Sequence, residues 1–170
     1  MIKLAGIDVG NDSIKIIVDG SREPVIVPNV IAPGYERVVL QEEDSAIKAL
    51  DVMVHSPALG KNNQRFFVGL LAMEDEDNYE LDATANKALS DQSLIVALTS
   101  LAYVGLMNSP VGTTSYNNVE EVEYIIGTGL PVRSYASFNK KFEERLVGEH
   151  EVTFLTTPKL RNRKVKVIIR

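Results

Sequence analysis

Two stretches of helical periodicity are set among many short apolar runs, and this alternation restricts the chain to folds that combine strands with helices. The first stretch follows Ser90, a suitable N-cap, and repeats apolar residues as far as Met107, which predicts a buried helix. The second follows Ser134, which we expect to cap a helix that ends at Gly148. Its apolar face consists of Tyr135, Phe138, Phe142 and Leu146.

The first apolar runs predict an antiparallel β-meander. They span residues 2–9, 14–18 and 25–27 and are separated by turn sequences rich in glycine and aspartate. Prolines flank the third run, so we expect it at a strand end or at an edge of the sheet.

Further strands are predicted in the middle of the chain. Residues 50–55 and 65–68 predict a hairpin joined by a polar loop. Residues 121–127 predict a central strand, and the Gly127-Thr128-Gly129 sequence predicts a turn with positive φ at its end. Residues 73–87 are acidic and predict an exposed loop or a poorly packed short helix, and residues 111–118 predict a loop.

The last two apolar runs, residues 151–155 and 164–170, predict a β-hairpin at the edge of the sheet. The second run reaches Arg170 without a breaker or a charged tail. Natural termini are usually polar, so we expect this chain end to be artificial and the chain to be a truncated part of a longer protein. The outer backbone edge of the hairpin would then offer a surface for self-association.

Composition narrows the classes of function. The 170 residues suffice for one domain, and the absence of cysteine excludes thiolate metal sites and fits a reducing cytoplasm. A net charge of −5 argues against direct binding to nucleic acid, because that affinity comes from lysine and arginine. Lys3 and Asp8 interrupt the first apolar run, which therefore predicts neither a signal peptide nor a membrane-spanning helix.

The segment from Asp8 to Lys15 carries the strongest indication of chemistry. A carboxylate lies at the end of the first strand, Gly10 lets the backbone approach a ligand, and Lys15 lies on the next strand. Amides of such a turn form an anion-binding concavity, and a carboxylate can hold Mg²⁺ through its waters. By itself the pattern is short, and an ordinary glycine-containing hairpin with an exposed Asp8 and Lys15 accounts for it at least as well.

A wider set of features resembles the ParM-type (StbA-type) actin-like ATPases, which are filament proteins of plasmid segregation. The Asp-x-Gly turn is similar to the first phosphate-binding element, phosphate-1, shared by actins, heat-shock chaperone ATPases and sugar kinases. The ParM-type features, in chain order, are Val68-Gly69-Leu70-Leu71-Ala72, Asn86-Lys87, Gly127-Thr128-Gly129-Leu130-Pro131-Val132, Tyr135, Phe138, Phe142, Gly148, His150 and Val152. The resemblance covers essentially all 170 residues and is to subdomain I, the N-terminal half of such an ATPase.

The resemblance implies an α/β fold of the RNase-H-like, actin-like type, with a mixed sheet flanked by helices. It implies ATP and Mg²⁺ as cofactors, bound by Asp8, Gly10, Asn11, Asp12, Ser13 and Lys15. Asp8 would organise the metal through water, and Lys15 would neutralise phosphate charge. The second phosphate loop and the catalytic residue of that family lie beyond residue 170, so we expect half an ATP site, no catalytic residue and no appreciable activity in this chain alone.

The resemblance also implies self-association into filaments and a DNA-binding adaptor protein as partners, without direct contact with DNA or a membrane. Two alternatives remain open: a sugar-kinase-like ATPase domain, and a protein-interaction domain without a nucleotide.

His55 and His150 have no neighbouring metal-ligand spacing and predict ordinary packing. A basic cluster predicts a solvated hairpin and consists of Lys159, Arg161, Arg163, Lys164, Lys166 and Arg170.

Overall fold

One mixed β-sheet organises the computed structural model, which describes residues 2–38, 45–80, 86–108 and 119–170. In chain order its strands are β1 (Ile2–Val9), β2 (Ser13–Val18), β3 (Val25–Pro28), β4 (Val30–Pro33), β5 (Leu50–His55), β6 (Gln64–Val68), β7 (Tyr79–Glu80), β8 (Val119–Thr128), β9 (Gly148–Phe154) and β10 (Lys164–Ile169). The helices are α1 (Leu70–Met73), α2 (Asp91–Met107) and α3 (Val132–Leu146), with one 3-10 turn at Ala46–Lys48.

The strands follow the order β3-β2-β1-β8-β10-β9-β5-β6-β4-β7. β1 is antiparallel to β2 and parallel to β8, and β8 is parallel to β10. The remaining pairings within the described ranges are antiparallel. The mixed sheet with helices packed on it confirms the predicted α/β class. The predicted meander and the β5–β6 hairpin are also confirmed, and β3 lies at an edge as expected.

Alternation along β1 and β2 decides which face of the sheet is buried. The buried positions are Ala5, Ile7, Val9, Ile14, Ile16 and Val18. Every second side chain of a strand points to the same face, so these six residues form one apolar surface, against which α2 packs. As predicted, Ser90 caps α2, its hydroxyl accepting a hydrogen bond from the amide of Ser93.

α3 packs through a narrow apolar face on the side of the sheet that α2 covers. Phe142 and Leu146 are buried in the main core, and Arg145 forms an ion pair with Asp91 in the first turn of α2. Gly148 follows the helix with a φ of 134°, a region that favours glycine, so its predicted place after the helix end is confirmed.

Two predictions at the ends of β8 and α3 are wrong. α3 begins at Val132 with Pro131 at its N-cap, so Ser134 lies inside the helix and does not cap it. A proline there loses no hydrogen bond, because the first amides of a helix have no intrahelical partner. The expected positive-φ turn at Gly127-Thr128-Gly129 is absent, because the first two of these residues continue β8 beside β1, and neither glycine has a positive φ.

The final strand pairs as predicted but does not lie at an edge. β10 is antiparallel to β9, which confirms the hairpin. Its other side is parallel to β8, and β9 pairs in turn with β5. The prediction of an edge position, and of self-association through that edge, is therefore wrong, because both backbone sides of β10 already have partners.

The sequence patterns do not predict four short elements. Val30–Pro33 forms β4 as a separate strand, Ala46–Lys48 forms the 3-10 turn, and Leu70–Met73 forms α1. Within the predicted acidic loop, Tyr79–Glu80 pairs with β4, and residues 81–85 lie outside the described residues. The loop predicted at residues 111–118 also lies outside them.

Exposed apolar side chains mark the sheet face opposite α2. They are Ile2, Leu4, Ile17, Ile26 and Ile125 of β1, β2, β3 and β8. In the part of the chain that the structure describes, no helix combines the length and the apolar character that a membrane span needs.

Candidate functional site

The β1–β2 hairpin brings the predicted site residues together. Asp8 lies opposite Lys15 in its register, and Lys15 Nζ is 3.7 Å from Asp8 Oδ2. The side chains of Lys15 and Asp8 are 50% and 65% exposed. An ion pair this exposed contributes at most about 1 kcal/mol to stability. Both side chains can therefore exchange this contact for a ligand at little cost to the fold.

Gly10 closes the turn at a point where no side chain fits. Its amide donates to the Ser13 carbonyl over 3.0 Å, which leaves Asn11 and Asp12 as the two connecting residues. A Cβ at Gly10 would lie 2.6 Å from that carbonyl oxygen, closer than van der Waals contact allows. Asp12 is exposed. The turn is therefore tight because of its glycine.

Asn29, which the sequence analysis missed, holds this turn from behind. Only 1% of Asn29 is exposed. Its side-chain amide donates to the Gly10 carbonyl over 2.9 Å and to Ser93 Oγ over 3.0 Å. Its backbone amide donates to the Asp12 carbonyl over 2.9 Å. One buried residue thus connects two carbonyls of the turn to the first turn of α2.

The first turn of α2 completes this support. Gln92 Nε2 donates to the Asn29 carbonyl over 2.5 Å, and Ser93 receives the Asn29 side chain. The sequence does contain a signal for this role. Asn29 is the one polar residue in the apolar run 25–32, and a polar residue buried in such a run has to find hydrogen-bond partners.

A hollow lies beside the hairpin, where two parallel strands end. β1 ends at Val9 and β8 ends at Thr128, so the segments that leave them meet at one edge of the sheet. In open α/β sheets, ligands bind outside the carboxyl ends of the strands. The hollow has a volume of about 550 Å³ and is lined by Ile7, Asp8, Lys87, Gly127, Thr128, Gly129, Leu130 and Pro131. This volume is in the range of ligand sites.

The side-chain oxygens around the hairpin suit a metal ion that is already coordinated by nucleotide phosphates and water. Within the described ranges, no group of three or more histidine, aspartate or glutamate side chains is placed to hold a metal ion. Mg²⁺ in nucleotide sites takes one or two carboxylates and completes its shell with phosphate oxygens and water. Asp8, a single exposed carboxylate beside a glycine turn, fits that requirement.

The buried histidine has a structural environment. His150 is 1% exposed, and its ring nitrogens lie 2.8 Å from Ser56 Oγ and from the Leu146 carbonyl. A carbonyl only accepts, so Nε2 carries the proton and Nδ1 accepts from the serine hydroxyl. Burial lowers the pKa of His150 below 6.5, and the bond to Leu146 offsets this only in part. His55, in contrast, is exposed.

Four residues of the basic cluster near the end of the chain form ion pairs with neighbouring strands of the sheet. Arg163, Lys164, Lys166 and Arg170 form ion pairs with glutamates of β8 and β9. Opposite charges on neighbouring strands support the pairing of those strands. This agrees with the predicted solvated hairpin.

Residues 6–170 match the family described as "Actin like proteins N terminal domain". The chain belongs to this family. The match includes β1 from Gly6 onward, the turn of the hairpin, Asn29, α2 and β8. The predicted recognition as an actin-like N-terminal domain is thereby confirmed.

Solved structures agree with this assignment. The actin-like domain is similar to Bacillus thuringiensis ParM with ATP, at 27% identity and a TM-score of 0.77, over 99% of this chain and 43% of that chain. The apo form of the same ParM gives 24% identity and a TM-score of 0.78, over 99% and 44%. Actin-like protein Alp7A shares the fold at 17% identity and a TM-score of 0.72, over 100% and 43%. The predicted RNase-H-like, actin-like fold is confirmed.

The domain spans less than half the length of these ParM and Alp7A structures. Among curated proteins, no sequence matches it significantly.

Proposed function

We propose that this actin-like domain supplies the phosphate-1 side of an ATP site in a ParM-type, filament-forming ATPase. The observation that carries the proposal is the β1–β2 hairpin, in which a glycine turn, one carboxylate and one lysine meet beside a hollow at the ends of two parallel strands. The similarity of the whole domain to a ParM that was solved with ATP supports the choice of nucleotide.

The proposed phosphate-1 loop consists of Asp8, Gly10, Asn11, Asp12, Ser13 and Lys15. Its main chain would approach the phosphates, since Gly10 has no side chain to hold them away. Lys15 would exchange its exposed contact with Asp8 for a phosphate oxygen. The Asp12 carboxylate would repel phosphate, so this residue takes part through its backbone, which Asn29 already holds in place.

Asp8 is the residue that would hold Mg²⁺, together with phosphate oxygens and water. The metal would supply neutralisation of the phosphate charge. With Lys15 turned to phosphate, Asp8 keeps a favourable counter-charge in the metal, so the nucleotide complex separates the two partners of the present ion pair without leaving either one unpaired.

The activity of the whole protein belongs to the same proposal. The other side of the nucleotide cleft would come from outside this chain, which covers only 43% of the ParM solved with ATP. Filament assembly is supported by the likeness to ParM. A net charge of −5 argues against direct contact of this domain with DNA, and an adaptor protein would make that contact instead.

The test is nucleotide binding and hydrolysis by the intact protein that contains this domain, with Asp8→Ala and Lys15→Ala. We expect either change to abolish hydrolysis, because each removes a charge that the polyphosphate needs. Neither should change the melting temperature by more than about 2 °C, since an exposed ion pair stabilises the fold by less than about 1 kcal/mol.

Glu149→Ala is the matched control, because Glu149 is 64% exposed and forms a cross-strand ion pair with Lys166 in the same sheet. It should leave hydrolysis unchanged. Normal ATP turnover in the Asp8 or Lys15 variant would contradict the proposal, and so would an equal loss in the Glu149 variant.

A further inference from the structure

Lys87 lies on a hydrogen-bonded turn directly before α2. The Asn86 carbonyl accepts from the Leu89 amide over 3.0 Å, and Asn86 Oδ1 accepts from the Ala88 amide over 3.1 Å. Ala88 is 1% exposed and belongs to the main core. The backbone on both sides of Lys87 is therefore held by hydrogen bonds and by an anchored neighbour, which limits the space its side chain can reach.

That space includes the hollow beside the proposed phosphate-1 loop. Lys87 lines it together with Asp8 of β1 and Thr128 of β8. Lys87 is only partly exposed. Within the described part of the chain it forms no ion pair, whereas Lys15 is already paired with Asp8. Lys87 is thus a cation in this hollow without a described acidic partner.

The charges around Lys87 would favour an anion in the hollow. Lys87 lies three residues before Ser90, the N-cap of α2, where the helix end carries partial positive charge. Asp8 is the acidic residue among those that line the hollow, and its carboxylate would turn to Mg²⁺ in the proposed nucleotide complex. An anion in the hollow would then be attracted by the ammonium group and by the helix end.

We propose that Lys87 is a second phosphate-binding lysine, which contacts the polyphosphate of the nucleotide from the wall of the hollow, in addition to Lys15. This inference rests on the proposed function, since it assigns a further ligand to the same nucleotide. Lys15 and Lys87 come from different elements, β2 and the turn before α2. A polyphosphate that contacts both would tie the hairpin to α2 through the ligand, in addition to the connection that Asn29 makes inside the protein.

The test compares Lys87→Gln, Lys87→Arg and Lys15→Ala in the intact protein, with Lys61→Gln as the control. Lys61 is an exposed lysine in the β5–β6 loop and does not line the hollow. Calorimetry measures the affinities for ATP and for adenosine at one fixed salt concentration. A hydrogen bond to a charged group contributes enough to change affinity by about 10- to 100-fold.

We expect Lys87→Gln to weaken ATP binding by at least about tenfold, to leave adenosine binding within about twofold, and to keep the urea unfolding midpoint of the wild type. Lys87→Arg should recover most of the ATP affinity, because it restores the charge. If Lys87→Gln binds ATP as Lys61→Gln does, while Lys15→Ala is impaired, the assignment of Lys87 is wrong and the proposed function stands. If the wild type does not bind ATP, the proposed function itself fails. A parallel loss of ATP affinity, adenosine affinity and stability would show that Lys87 supports the fold, which would also overturn the assignment.

Discussion

Replacing Asn29 with alanine tests whether the turn at residues 10–13 is held by buried hydrogen bonds from behind. The substitution removes the two bonds that the side chain donates, to the Gly10 carbonyl and to Ser93 Oγ. The backbone bond from Asn29 to Asp12 remains, so the change loosens the turn on one side.

The magnitude follows from the two bonds and one unpaired atom. Each hydrogen bond contributes about 1–1.5 kcal/mol net, so the loss is about 2–3 kcal/mol. Asn29 Oδ1 is buried without a hydrogen-bond partner among the described residues, so removing it stabilises the folded state by about 1 kcal/mol. The net destabilisation is therefore about 1–2 kcal/mol, which lowers the melting temperature of a chain of this size by about 5 °C.

Urea denaturation followed by circular dichroism measures this difference, with Asn139→Ala as the control. Asn139 lies on α3, and among the described residues its Oδ1 accepts only from the adjacent Lys140 amide, so alanine there should be neutral or slightly stabilising. Asn29→Asp should destabilise more than Asn29→Ala, because a carboxylate would replace the donor that faces the Gly10 carbonyl. If Asn29→Ala unfolds at the wild-type urea concentration, the turn is not held by these bonds and the argument is refuted.

Two further predictions concern the core. Gly105→Ala should destabilise the fold by about 1–2 kcal/mol in urea titrations, despite the better helix propensity of alanine. The added Cβ would lie 2.6 Å from Val122 Cγ1 and 2.9 Å from the Tyr124 hydroxyl. Equal or higher stability would show that the side chains of β8 can move to make room for the methyl group. His150 should make stability depend on pH: its folded pKa is lowered below 6.5, so the unfolded chain binds the proton first and the free energy of unfolding falls as pH decreases from about 6.5 through the folded pKa. His150→Gln should flatten this part of the pH curve, and an unchanged slope would assign the dependence to other groups.

Local patterns were sufficient for the elements whose partners are close in sequence. The alternation in β1 and β2, with a two-residue turn between them, predicts both the pairing and the meeting of Asp8 with Lys15, because a hairpin register follows from its turn. The same reasoning predicts the β5–β6 and β9–β10 hairpins.

Strand order was harder to predict, because it depends on pairings that are distant in sequence. The apolar run of β10 is compatible with an edge strand and with a central strand, and only the parallel pairing with β8 decides between them. The predicted N-cap of α3 is wrong for a related reason. Ser134 and Pro131 are both compatible with a helix start, and the length of β8 determines which of them is used.

The residues behind the candidate site escaped prediction because their role depends on packing. Asn29 and Gln92 lie far apart in sequence and meet only when the first turn of α2 docks behind the hairpin. The periodicity of apolar residues along the sequence does not indicate such a contact. The exposed residues of the site, Asp8 and Lys15, could be found from sequence because both belong to one hairpin.

This division between exposed and buried residues has a physical consequence for the domain. The side chains of Asp8 and Lys15 form one exposed ion pair with each other. Substitutions there should therefore weaken ligand binding and leave the free energy of unfolding nearly unchanged. Asn29 connects the same turn to α2, which is buried at 13 of its 17 residues, so changes there should affect stability and the ligand together. The position of the turn is therefore determined by the packing of α2 against the sheet. A nucleotide that bound both the hairpin and Lys87 would stabilise that packing in return, since a ligand that binds only the folded state raises its stability.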